Sequence, residues 1–101
     1  MIYQLSVPAA VPGVEEIRVL EWHGHVGSPF AVGDLIVELE THKAVVEVRS
    51  GQAGVLRGVR AEPGDWVGLE KILAVFSDTA EESLPADSDS LADLAVEFEV
   101  T

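Results

Sequence analysis

The chain has 101 residues, 48% of them hydrophobic, with no cysteine and a formal net charge of −12. That length makes one domain with a real but small core, and the absence of thiols excludes a disulfide scaffold or a thiolate metal site. The charge argues against binding to nucleic acid or anionic lipid, both of which need basic patches to displace counterions.

Gly and Pro punctuate short runs rich in Val, Ile and Leu. The opening MIYQLSVPAA lacks the positive start of a signal peptide, and no apolar run approaches the ~20 residues of a membrane span, so a cytoplasmic location is expected. In chain order the runs predict strands at Ile2–Val7, Glu16–His23, Leu35–Glu40, Ala44–Arg49, Val55–Arg60 and Ile72–Ser77, with a brief extended piece at Trp66–Val67. No stretch before residue 78 holds a helical period. Leu35, Val37 and Leu39 fall on one face of their strand, with Ile36, Glu38 and Glu40 on the other. Ala44, Val46 and Val48 alternate in the same way with Val45, Glu47 and Arg49. Thr41, His42 and Lys43 are left between these two strands as a tight hairpin, with the lysine at or next to its tip.

Beyond Ser77 the composition changes. Residues 1–77 hold ten acids and six bases, whereas residues 78–101 hold eight acids and no base. DTAEESLPADSDS, residues 78–90, reads as a solvated acidic linker. The alternation of Val96, Phe98 and Val100 with Glu97, Glu99 and Thr101 then predicts a final edge strand, a short helix at Leu91–Val96 being the alternative. The expected organisation is a domain over 1–77, a linker over 78–90 and a terminal segment over 91–101.

A faint repeat at an offset of 37 relates VGSPFAVGDLIVELE to PGDWVGLEKILAVFS. Gly27 matches Gly64, Phe30 matches Val67, Val32 matches Leu69, and Leu39 matches Phe76. The counterpart of Lys43 is Ala80. The fold expected is all-β: a flattened sandwich of two small antiparallel sheets with pseudo-twofold symmetry. Lys43 would lie at one end and both termini at the other.

Most lysines at turns only keep a surface soluble. Trp22 and Trp66 are expected in or at the rim of the core, and Gly27, Gly33, Gly54 and Gly64 are expected to supply positive φ or close strand approach. His23 and His25 lie two apart among acids, but no third ligand stands at a recognisable spacing, so no metal site is expected. Glu38, Glu40 and Glu47 make a solvated face that could also meet a basic partner. No nucleophile motif, triad or phosphate loop is present, so no catalysis by the chain itself is expected.

The spacing of Gly27, Phe30, Ile36, Leu39, Lys43, Ala44, Val45, Val48, Gly54 and Leu56 resembles the attachment signature of the biotinyl/lipoyl carrier domains. VELETHKAVVEVRSGQAGVL resembles the lipoyl branch in particular, whose hairpin reads Glu-Thr-Asp-Lys-Ala. VLEWHGHVGSPFAVGD and PGDWV fit the same family, and the resemblance runs from Ile2 to Ser77. It implies a sandwich of the single-hybrid-motif type with lipoate in amide linkage to Lys43. It also implies that Glu40, Thr41, His42 and Ala44 are read by a lipoate ligase or lipoyl transferase. The partners it implies are the 2-oxo acid dehydrogenase, acyltransferase and dihydrolipoamide dehydrogenase components of a multienzyme complex. Biotin carriers flank their lysine with methionines. Here the flanks are His42 and Ala44 and the sole methionine is Met1, so a biotin carrier of a carboxylase is the second reading. An unmodified interaction module on the same fold is the third. Two departures stand out. His42 replaces the usual aspartate with a titratable ring, and the loop Ala9–Glu15 departs from the family's glycine-rich version. Acyltransferase components of such complexes continue into further domains, so a sequence stopping at Thr101 implies a free-standing carrier or a catalytic partner on another chain.

Overall fold

The computed structural model describes residues 1–6, 15–68, 71–81 and 91–100. Val7, most of the loop Ala9–Glu15, Leu69, linker residues 82–90 and Thr101 lie outside the described residues. The β-branched runs form ten strands: β1 Ile2–Ser6, β2 Glu16–Trp22, β3 Pro29–Phe30, β4 Leu35–Glu40, β5 Val45–Ser50, β6 Gly54–Val59, β7 Trp66–Gly68, β8 Ile72–Ser77, β9 Ala92–Asp93 and β10 Val96–Val100. No helix forms among the described residues, so none is long and apolar enough to cross a membrane.

The strands make two sheets of five, ordered β3-β6-β8-β1-β9 and β10-β5-β4-β2-β7, in a body of 39 × 26 × 20 Å. This is the flattened sandwich with the expected pseudo-twofold relation. Moving 37 residues along carries β2, β3 and β4 onto β6, β7 and β8. The register follows: Arg18 faces Glu40 and Val55 faces Ser77, while Val19 faces Leu39 and Leu56 faces Phe76. The irregularities repeat as well, since β2 bulges between Val19 and Glu21 and β6 between Leu56 and Gly58. The turn glycines match too: Gly27 and Gly64 sit at φ 98° and 95°, a region glycine enters without steric cost. The Gly27 N–H bonds the Leu56 carbonyl at 2.8 Å, and the Gly64 N–H bonds the Val19 carbonyl at 2.7 Å. One pairing departs from the antiparallel expectation, because the two-residue β9 lies parallel to β1.

The core between the sheets holds Leu5, Val19, Phe30, Ile36, Val37, Leu39, Val48, Leu56, Leu73 and Phe76, each buried. Each contributes about 1.5–3 kcal/mol relative to exposure. Phe30 meets Phe76 edge to face, with ring centroids 5.8 Å apart. Ile36 corrects the alternation expected of β4: it is buried together with Val37 rather than facing out with Glu38. The cause is a bulge between Leu35 and Val37 against β5, which turns two successive side chains inward. Trp66 is a second correction, at 54% exposed, whereas Trp22 packs against the core and donates its indole N–H to the Ala61 carbonyl at 2.8 Å.

The terminal segment belongs to both sheets. Leu94 is buried in the core and its N–H bonds the Gln4 carbonyl at 2.9 Å. At Gly51 a Cβ would stand 3.0 Å from the Ala95 backbone, so glycine lets the segment pass close by. Strand β10 then pairs with β5 in an antiparallel ladder that ends with Val100 opposite Val46. The chain therefore runs back toward the β4–β5 hairpin. This corrects the expectation that both termini lie at the far end, because only Met1 does, pairing with Asp78.

Candidate functional site

The hairpin joining β4 to β5 closes on the pair Thr41 and Ala44, with His42 and Lys43 as its two-residue tip. The Thr41 N–H bonds the Ala44 carbonyl at 2.8 Å. The return bond is not made by the Thr41 carbonyl. Thr41 Oγ1 instead accepts the N–H groups of Ala44 at 2.9 Å and Lys43 at 3.0 Å, and it donates to the Ala44 carbonyl at 3.2 Å. Thr41 is 5% exposed. Sequence reasoning placed it on a recognition surface; the structure places it inside the turn as a clamp that fixes the direction of the next two residues.

His42 and Lys43 are both exposed. Lys43 makes no ion pair among the described residues, the nearby glutamates of β4 and β5 being paired instead with Arg18, His23 and Arg49. Glu40 is held by Arg18 on β2, with a nitrogen–oxygen distance of 2.9 Å. Ala44 is partly buried at the base. The residues singled out from sequence thus gather at one place in three roles: Lys43 and His42 presented, Thr41 and Ala44 internal, and Glu40 tied to β2. At the symmetry-equivalent place β8 is paired by β1, from the start of the chain. The Asp78 N–H bonds the Met1 carbonyl at 3.2 Å, and the N-terminal ammonium meets the Asp78 carboxylate at 3.1 Å.

Two features of this end were not read from the sequence. One is an open groove of about 310 Å³ lined by Glu15, Glu16, His42 and Trp66. The other is the extension of the expected face at Glu38 and Glu47 into a row of carboxylates across the outer face of the second sheet. Glu21 stands opposite Glu38, Glu38 opposite Glu47, and Glu47 opposite Glu99. Like charges so paired repel. His23 closes one end of the row, its Nε2 lying 2.6 Å from Glu38 and 3.9 Å from Glu21. These three are the one potential ligand cluster among the described residues. It includes His23 without His25, and its third member arrives from across the sheet, where spacing along the chain gives no hint of it.

The geometry offers a primary amine on a stiff, exposed β-turn, with no ion pair to any described residue, which is a chemical handle. The biotin/lipoyl family, described as "Biotin-requiring enzyme", matches residues 3–76. The chain belongs to the biotin/lipoyl family. Its relatives in that family include a dihydrolipoyllysine-residue succinyltransferase component of the 2-oxoglutarate dehydrogenase complex from Staphylococcus saprophyticus, 39% identical over 75 residues, which cover 74% of this chain and 18% of that protein. The protein of the same name from Bacillus subtilis is 31% identical over 87 residues, covering 85% and 21%. The mitochondrial protein X component of the pyruvate dehydrogenase complex from Saccharomyces cerevisiae is 31% identical over 98 residues, covering 92% and 24%. This biotin/lipoyl domain thus spans about a fifth of the length of these relatives.

Proposed function

We propose that the protein is a lipoyl carrier with lipoate joined by an amide to Lys43 Nζ, serving the enzymes of a 2-oxo acid dehydrogenase complex. The observation that carries this reading is the amine of Lys43 on a two-residue turn locked from within by Thr41. Relatives named for dihydrolipoyllysine and for 2-oxo acid dehydrogenase complexes support lipoate over biotin. So do the flanks His42 and Ala44, where biotin carriers resemble one another in having methionines.

The protein's part is positional. Thr41 and the paired strands β4 and β5 hold the amine clear of the surface, so a ligase reaches it without unfolding the turn. Amide formation removes the ammonium charge from a chain whose net charge is already −12. When bound, lipoate supplies a dithiolane able to take up an acyl group with electrons and to pass both on. The sandwich holds that long arm on a fixed pivot, which keeps its end at high effective concentration near partner active sites. No residue of the chain is assigned a proton transfer or a nucleophilic step.

Expression with a lipoate ligase, and separately with a biotin ligase, tests the reading by intact mass and by peptide mapping across residues 35–60. The expected result is a lipoyl adduct at Lys43, none at Lys71, the only other lysine, and none in Lys43→Arg. A biotin adduct with no lipoyl adduct would replace lipoate by biotin, and a chain inert to both ligases would leave an unmodified interaction module.

A further inference from the structure

We propose that the groove between the hairpin and β7 is a resting site for the tip of the lipoyl arm, with the Trp66 indole as its docking surface. The proposal rests on Lys43 being the attachment point.

The groove begins at the attachment point: His42, the neighbour of Lys43 in the two-residue turn, lines it together with Trp66, Glu15 and Glu16. Strand register fixes how far away the indole lies. Trp66 on β7 stands opposite Arg18 on β2, and Arg18 stands opposite Glu40 on β4, the last strand residue before the turn. Two strand spacings, about 10 Å, therefore separate the backbone of Trp66 from the base of the hairpin. A lysine side chain lengthened by the lipoyl chain spans that gap and can fold back over the sheet edge.

Trp66 is over-built for a merely structural role. It is 54% exposed on a strand of three residues, while its neighbour Val67 supplies the contact with the core. An aromatic face left open beside an attachment point matches the tip of the arm, because a dithiolane is apolar and its polarisable sulfurs make favourable contacts with aromatic rings. Glu15 and Glu16 add a second property. They favour the uncharged ring and disfavour an arm ending in a carboxylate, so an arm bearing an anionic acyl group would leave the groove. Docking also keeps the ring from reductants in solution until a partner displaces it.

The test uses the full chain lipoylated by a ligase, with mass spectrometry establishing a complete adduct at Lys43 before any other measurement. The indole N–H resonances of ¹⁵N-labelled protein distinguish Trp66 from Trp22, and Trp66→Phe assigns them. On lipoylation the Trp66 resonance is expected to shift and its fluorescence to be quenched by the neighbouring disulfide, while Trp22, bonded to Ala61, stays unmoved. Reduction of the ring by a small phosphine is expected to be several-fold slower than in lipoylated Trp66→Ala. An unmoved Trp66 resonance together with equal reduction rates, in fully lipoylated protein of unchanged fold, overturns the resting site and leaves the carrier reading intact. Absence of the adduct removes both.

Discussion

At the scale of single residues, the hairpin depends on Thr41 more than on either residue it presents. Its hydroxyl accepts two backbone N–H groups and donates to one carbonyl from a nearly sealed position. Thr41→Ala leaves those donors short of a partner at a cost of about 1–3 kcal/mol. Thr41→Ser keeps the hydroxyl and should fold close to wild type. Urea unfolding, combined with the rate of ligase modification, checks this. The alanine variant is expected to unfold at lower urea and to be modified more slowly, and an alanine variant as stable as the serine one would remove the clamp. The prominence of Lys43 was legible from two apolar runs meeting around a polar triplet. The inward role of Thr41 was not, because a threonine in a turn looks the same in sequence whether it faces a partner or bonds back to its own backbone. Trp66 failed for a related reason: composition assigns a tryptophan to the core on average, and only the position of β7 at a sheet edge leaves this one open.

At the scale of elements, the repeat was the most informative signal. An offset of 37 carried the strand register, the bulges and the turn glycines of one half onto the other. It could not show Ala92–Asp93 as a strand, since two residues outside the repeat carry no period. It also could not show that Ile36 turns inward, because a bulge shifts the phase of alternation without changing composition. The terminal segment illustrates how tertiary contacts override a polar context. Leu94 enters the core beyond a highly acidic stretch, and β10 covers the edge of β5. Leu94→Ala is expected to cost about 2–4 kcal/mol through the lost burial and the cavity it leaves. Removing residues 91–101 should lower the unfolding midpoint further. Both are read by thermal or denaturant melts, and a truncated domain as stable as the full chain would reduce the segment to an appendage.

At the scale of the whole molecule, charge sets the balance. A net charge of −12 and four carboxylates opposed strand to strand across one sheet mean that the folded state compresses its own repulsion. Raising ionic strength from about 0.01 M to about 0.15 M shortens the screening length from about 30 Å to about 8 Å. The melting temperature is therefore expected to rise with salt over that range. Glu47→Gln, which removes the charge facing both Glu38 and Glu99, should raise it at low salt and reduce its salt dependence. A melting temperature that falls with added salt would mean that attractive pairs such as Arg18–Glu40 outweigh the row. The overall acidity was plain in the composition. The acidic face at Glu38 and Glu47 was legible as well, but its extension to Glu21 and Glu99 was not, since these join it only through register.

Among the described strands β10 is an edge of its sheet, and it alternates Glu97 and Glu99 with Phe98 and Val100. An incoming strand of like sequence would have to stack its own glutamates against these, a juxtaposition that discourages edge-to-edge growth. Such a border is a form of crowd control: copies meeting at high concentration would jostle without zipping into fibrils.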